Sequence, residues 1–271
     1  MTHTPATLAA LLDQHGLGPS RALGQNFVVD PNTVRRIARL AGVGPGDHVV
    51  EIGAGLGSLT LALAETGADI TAVEIDRYLL PVLADVLGDL PVRVVSGDAM
   101  RLDWDELLAD HDAWTLVANL PYNVATPLVL DLLAGVPKIE RMLVMVQKEA
   151  GERLAAGPGS GAYGIPSVKV ALRATARIVG KVGPDVFVPK PRVDSALVEI
   201  VRLPEPATAA DPDRLTFLVE RAFNQRRKML RRSLADEVAP EAFEAAGVDP
   251  RTRPEQLSVQ DWGRLAEASP G

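Results

Sequence analysis

The chain has 271 residues, 47% hydrophobic and 23% charged, with no cysteine and a formal net charge of -7. That length buries roughly three quarters of the unfolded surface, which argues against disorder, and the lack of cysteine excludes disulfides, thiolate metal sites and thiol nucleophiles. Taken whole, the acidity argues against a nucleic-acid partner, whose phosphates are met by Lys and Arg.

The histidines His3, His15, His48 and His111 fall in no metal-ligand spacing, so no metal is expected. No apolar run reaches the ~18 residues of a membrane span, and the first twenty residues lack the pattern of a signal peptide. The expectation is a soluble cytoplasmic protein. From His48 onward, β-branched runs alternate with helical stretches: HVVEIG, a helix over 59–65, DITAVEI, a helix over 78–87, VRVVSGD, WTLVANL, a helix over 126–133, and RMLVMVQK. Apolar strands alternating with amphipathic helices predict a parallel sheet covered on both faces. The runs SVKVALRATARIVGKV and ALVEIVRL, joined by the proline-rich VGPDVFVPKPRVD, are expected to finish that sheet as a hairpin-like pair. PEPATAADPD reads as a linker. Helices are predicted over 214–223, 227–237, 240–246 and 254–267. The expected organisation is an α/β domain over residues 1–203 and a small all-α domain over 204–271.

Charge is unevenly spread. Residues 1–137 carry 7 basic and 17 acidic residues, residues 138–202 carry 11 and 6, and residues 203–271 carry 10 and 12. Within the last segment, RAFNQRRKMLRRSLA holds Arg221, Arg226, Arg227, Lys228, Arg231 and Arg232 without one acid. That stripe is either a solvated helix face or an anion-binding surface.

Three strand ends carry a ligand signature. VVEIGAGLGSLT places Gly53, Gly55 and Gly57 at a strand-to-helix turn, where glycine permits positive φ and close approach of a ligand to the backbone. The spacing differs from the dinucleotide fingerprint, and Glu51 precedes the first glycine by two residues. Glu74, in VEID, falls one strand–helix–strand unit after Glu51, where a carboxylate can accept both hydroxyls of a ribose. Asp98, in GDAM, ends the third strand, where it can accept from an adenine amino group. Together they predict a pocket for an adenosine without phosphates, the shape of S-adenosylmethionine.

The fourth strand runs into NLPY. An adenine amino nitrogen is a poor nucleophile because its lone pair is delocalised into the ring. The Asn119 side-chain oxygen and the Leu120 carbonyl can hold its hydrogens and favour charge developing on it. Pro121 fixes the turn, and Tyr122 can stack on the base. Phe187 is either a second aromatic clamp on an extruded base or a core residue beneath its loop.

GQNFVVD, EIGAGLGSLT, VEID, GDAM, NLPYNVATPL, VQKEAGERLAAGPGSGAYG, FVPKPRVDSALV and FNQRRKMLRRSL, in that order, closely resemble the ribosomal RNA adenine dimethyltransferases. The resemblance is nearest to the small-subunit group associated with kasugamycin sensitivity and runs from about Pro19 to the C-terminus. It implies a Rossmann-like class I S-adenosylmethionine-dependent methyltransferase fold followed by a helical RNA-binding domain. It implies transfer of methyl groups to two adjacent adenines in the 3'-terminal hairpin of small-subunit RNA during 30S biogenesis. By the same resemblance, Asn26 and the backbone of Val28 contact the methionine part of the cofactor. Gly53 lines it, Glu74 holds its ribose and Asp98 its adenine. Asn119 lies beside both cofactor and target amine, and Leu120, Tyr122 and Phe187 complete the base site. Val28 stands where the family commonly has leucine. Arg226, Arg227, Lys228, Arg231 and Arg232 become candidate RNA contacts, since RNA binding needs local rather than total positive charge. The alternatives are a large-subunit RNA adenine methyltransferase of the macrolide-resistance type and a noncatalytic RNA-binding assembly factor. A monomer is the default expectation.

Overall fold

The structure, a computed structural model, describes residues 3–270. Its contacts fall into two compact units, residues 1–151 with 177–201 and residues 152–176 with 202–271. The linear boundary expected at residue 203 is therefore not the boundary of packing, because residues 152–176 belong with the helical residues that follow 202.

The elements of the first part of the chain, in order, are α1 (Pro5–Gln14), β1 (Phe27–Val28), α2 (Pro31–Ala41), β2 (His48–Ile52), α3 (Ser58–Ala64), β3 (Asp69–Glu74), α4 (Leu80–Leu87), β4 (Val92–Ser96), α5 (Trp104–Leu107), β5 (Trp114–Asn119), α6 (Ala125–Gly135), β6 (Ile139–Gln147) and α7 (Lys148–Leu154). Then come α8 (Ile165–Arg173), β7 (Ala174–Val182), β8 (Phe187–Val188), β9 (Ser195–Arg202), α9 (Pro212–Phe223), α10 (Leu230–Ser233), α11 (Pro240–Ala245) and α12 (Val259–Ala268). Seven strands form one sheet in the order β4-β3-β2-β5-β6-β9-β7, and β1 pairs with β8 separately. The pairs β2–β3, β3–β4, β2–β5 and β5–β6 are parallel, and β9 lies antiparallel on β6. Strand order reverses between β2 and β5, whose carboxyl ends carry Glu51 and Asn119. Ligands of open α/β sheets bind outside the strand ends at such a switch point.

The first unit packs in apolar clusters built from the strands and their covering helices. One joins Val34, Ile37 and Ala41 of α2 to Val49, Val117, Leu143 and Leu197 of the sheet. The start of α2 is written locally: Asp30 accepts from the Thr33 N–H at 2.9 Å, and Pro31 opens the helix. The second unit has its own core, in which Trp262 and Leu265 of α12 meet Leu215, Leu218 and Val219 of α9. Tyr163, Val168 and Leu172 belong to that core too, which is why residues 152–176 fall with it.

Three expected elements differ. SVKVALR is helical, as α8, and only the following ATARIVGKV is a strand. Ile165, Val168 and Leu172 lie at helical spacing and face the core, and this outweighs the β-branched composition. The basic run 227–237 is not one helix: α9 stops at Phe223 and only the four residues of α10 are helical. There the Leu230 and Arg231 N–H groups donate to the Thr252 and Pro250 carbonyls, so the chain is held by a neighbouring loop rather than by its own next turn. Residues 254–267 likewise begin with a 3-10 turn, and α12 starts only at Val259, behind the N-cap Ser258 of a Ser258–Asp261 capping box.

Candidate active site

A cavity opens at the carboxyl ends of β2, β3 and β5. Asn26, Val28, Gly53, Glu74, Asn119, Leu120 and Tyr122, all singled out from the sequence, line it, together with Gln25, Phe27, Glu51, Gly55, Ser58 and Ile75. The glycine turn supplies its floor. Gly53, Gly55 and Gly57 have φ of 77°, 57° and 81°, a left-handed region that a side chain resists. At Gly55 a Cβ would also lie 3.1 Å from the Phe27 ring.

Glu74, 4% exposed at the end of β3, accepts from the Gly55 N–H at 2.6 Å and the Asp76 N–H at 2.8 Å. Two oxygens with about four lone-pair sites retain acceptor capacity after those bonds. Burial pushes its pKa up, and the backbone N–H groups of Asp76 and Gly55 oppose that. Glu51, at the end of β2, is more deeply buried. Among the described residues its Oε2 has no hydrogen-bond partner, and neither have the hydroxyls of Ser58 and Thr60. Desolvation raises its pKa to about 8. The Thr60 hydroxyl opposes that shift from outside hydrogen-bonding geometry, and the Glu74 charge adds to it.

On the β5 side, the Asn119 Nδ2 donates to the Asn26 carbonyl at 3.0 Å. A carbonyl only accepts, so this bond fixes the amide orientation and leaves Oδ1 as the free end. The Asn26 Nδ2 in turn donates to the Gly24 carbonyl at 3.0 Å. At Gly24, where φ is 65°, a Cβ would sit 3.2 Å from Asn123 Oδ1 and 3.3 Å from Pro121 Cβ. The GQN and NLPYN segments thus lie against each other, with glycine permitting the approach. The Tyr122 hydroxyl shares a 2.9 Å hydrogen bond with the hydroxyl of buried Ser195, tying the ring to β9. Burial raises the Tyr122 pKa, opposed by that bond.

Two expected site residues lie apart from the cavity lining. Asp98 follows β4 at the same sheet edge, where it accepts from the Met100 N–H at 3.0 Å and lies 3.8 Å from Arg101. Phe187 is 3% exposed within the core beside Val28, its β1 partner, so of its two readings the structure realises the core one. Among the basic residues, Arg227, Lys228, Arg231 and Arg232 are exposed, whereas Arg226 donates to the Gly161 carbonyl at 3.1 Å and lies 3.7 Å from Glu255. Gln25 and Ser195 had no assigned role in the sequence. Gln25 Nε2 donates to Asp76 Oδ2 at 2.8 Å, and the only sequence signals were their places inside GQNF and VDSA.

A glycine turn at a β2–β5 switch point, an acid ending the neighbouring strand and an antiparallel β9 beside the parallel strands define a class I methyltransferase. Among solved structures, the 23S rRNA methyltransferase ErmE superposes with a TM-score of 0.70 at 27% identity, over 90% of this chain and all of that one. A dimethyladenosine transferase from Plasmodium falciparum shares the fold, with a TM-score of 0.75 at 22% identity over 88% and 95% of the two chains. Residues 19–269 match the family described as ribosomal RNA adenine dimethylase, and the chain belongs to that family. It is 49% identical to the ribosomal RNA small subunit methyltransferase A of Thermobifida fusca, over 98% of this chain and 96% of the relative. It is 48% identical to the protein of the same name from Streptomyces avermitilis, over 97% and 92%.

Proposed function

We propose that the protein is a small-subunit ribosomal RNA adenine N6,N6-dimethyltransferase of the cytoplasm that acts on two adjacent adenines of the 3'-terminal hairpin in an immature 30S particle. The observation that carries this is the Asn119 amide, whose nitrogen is committed to the Asn26 carbonyl so that its oxygen is left to accept from a substrate amine.

The residues present fit S-adenosylmethionine. The glycine turn admits close approach, Glu74 keeps lone pairs for ribose hydroxyls, and Glu51 and Ser58 offer buried polar atoms without partners among the described residues. Asn26, Val28 and Gly53 would line the cofactor, and Asp98 would meet its adenine from the end of β4. When bound, it supplies an electrophilic methyl group on a sulfonium.

Asn119 Oδ1 and the Leu120 carbonyl hold the two hydrogens of the adenine amine, turning its lone pair toward the methyl carbon. Among the described residues no backbone donor takes the Leu120 carbonyl. Positive charge developing on that nitrogen during methyl transfer would be stabilised by these two acceptors. The nitrogen then loses its proton to solvent, without a dedicated base. Tyr122 stacks on the base from a position fixed by Ser195. Phe187 would join it only by leaving its core position.

The test is methyl transfer to immature 30S particles and to protein-free large-subunit RNA, with mass spectrometry of the modified 3' end. Transfer is expected on the first substrate alone, yielding two dimethyladenines. Asn119→Ala should lower kcat by roughly 10²–10³, the scale for removing one preorganised transition-state contact. Preferential modification of the large-subunit RNA would favour the macrolide-resistance alternative instead.

A further inference from the structure

The family match begins at residue 19, yet the residues ahead of it reach the cofactor loop. His3 is 6% exposed, and its Nε2 lies 2.7 Å from the carbonyl oxygen of Leu56, inside GAGLG. Since a carbonyl only accepts, the imidazole carries its hydrogen on Nε2 and donates. Thr4 caps the helix that follows, accepting from the Thr7 N–H. Leu8 and Leu12 of α1 then pack with Phe27, Val29, Leu56, Leu79 and Val82 in one buried cluster. Phe27 is the ring that lies against Gly55, so α1 backs the residue that backs the loop. At the far end of α1, His15 Nε2 lies 3.6 Å from Asp85 of α4.

The loop is therefore held from two directions. Glu74 takes the Gly55 N–H, and His3 takes the next residue's carbonyl. Left-handed glycines permit the turn but do not choose it, because glycine has more alternative conformations to lose than any other residue. Contacts that single out one arrangement remove ordering cost from ligand binding. Burial holds the His3 imidazole below its ordinary pKa, the Leu56 carbonyl opposing, which keeps the ring neutral near pH 7.

We propose that the segment from His3 through α1 is a clamp on the glycine loop, with His3 a positioning residue that sets affinity for S-adenosylmethionine. The inference rests on the assignment of this cavity to that cofactor. Losing one buried hydrogen bond of ordinary strength predicts roughly three- to tenfold weaker binding.

Isothermal titration of the full-length chain with S-adenosylmethionine, for wild type, His3→Ala and His3→Gln, tests this alongside transfer kinetics. Gln presents an amide donor near the position of Nε2. His3→Ala should weaken cofactor binding by that factor and raise KM for the cofactor with kcat unchanged, and His3→Gln should restore most of the loss. Unchanged affinity in His3→Ala would overturn the proposal. So would a Gln variant no better than Ala, since that pattern means His3 only packs. A wild-type chain that takes up no S-adenosylmethionine would overturn the assignment of the cavity, and this inference with it.

Discussion

Glu51 and Glu74 end adjacent strands of one sheet, and their surroundings part them. Glu74 meets two backbone N–H donors, while the Oε2 of Glu51 meets no donor among the described residues. The position of Glu51 two residues before Gly53 is plain in the sequence, but its burial is not, since that depends on how α3 closes over β2. In the unfolded chain Glu51 ionises near 4.5, the ordinary value for its carboxyl, whereas the folded protein keeps its proton to about 8. Between those values the native state binds more protons than the unfolded state, so this group's contribution is fully favourable below the lower value and is lost as pH rises through the upper one. Glu51→Gln removes that dependence. In urea unfolding, the stability of Glu51→Gln relative to wild type should therefore grow from pH 5 to pH 8. A difference that stays flat over that range would mean Glu51 ionises in the fold as it does in water.

At the scale of elements, the parallel core is legible because β2, β3, β5 and β6 are mainly apolar runs separated by helices, the pattern of a sheet covered on both faces, while the edge strand β4 is largely exposed. The sequence of α8 reads as strand because Val168 and Val170 suggest extended chain, while the 165–168–172 spacing that buries its face is helical. The basic run after α9 reads as one helix because Leu230, Leu234 and Val238, the positions that reach the core, are four residues apart, whereas the Thr252 and Pro250 carbonyls that take the Leu230 and Arg231 N–H groups are remote in sequence. Tight helix contacts are also invisible to the sequence. Gly263 in α12 looks like a helix-weakening residue, yet a Cβ there would lie 2.1 Å from Thr208 Oγ1 and 2.6 Å from its Cβ. Thr208 has little room to yield, since its hydroxyl also accepts from the Ala210 N–H at 3.3 Å. Alanine ordinarily stabilises a helix by up to about 1 kcal/mol over glycine, and overpacking costs about 1–3 kcal/mol. Gly263→Ala is expected to lower stability by about 1–2 kcal/mol on balance, measured by urea unfolding. A gain in stability would show that Thr208 moves aside.

For the whole molecule, total charge misleads and its partition informs. The unit holding the cavity carries 14 basic and 22 acidic residues, a net -8, and the helical unit carries 14 and 13, a net +1, which together give the -7 of the chain. An acidic cofactor unit leaves RNA attraction to local clusters of cations. Arg226 is a poor member of the cluster that the sequence suggested, because its guanidinium is engaged with Gly161 and Glu255. Arg227, Lys228, Arg231 and Arg232 remain exposed around α10. Every cation removed from a phosphate should flatten the slope of log affinity against log salt by roughly 0.7–0.9. Replacing these four by alanine should therefore weaken binding of small-subunit RNA at low salt, reduce that slope by about 3, and leave S-adenosylmethionine affinity unaltered. Filter binding across a salt series, paired with calorimetric titration of the cofactor, measures both arms. An unchanged slope would mean that these side chains touch no phosphate. A parallel loss of cofactor affinity would mean that they hold the fold together rather than the RNA.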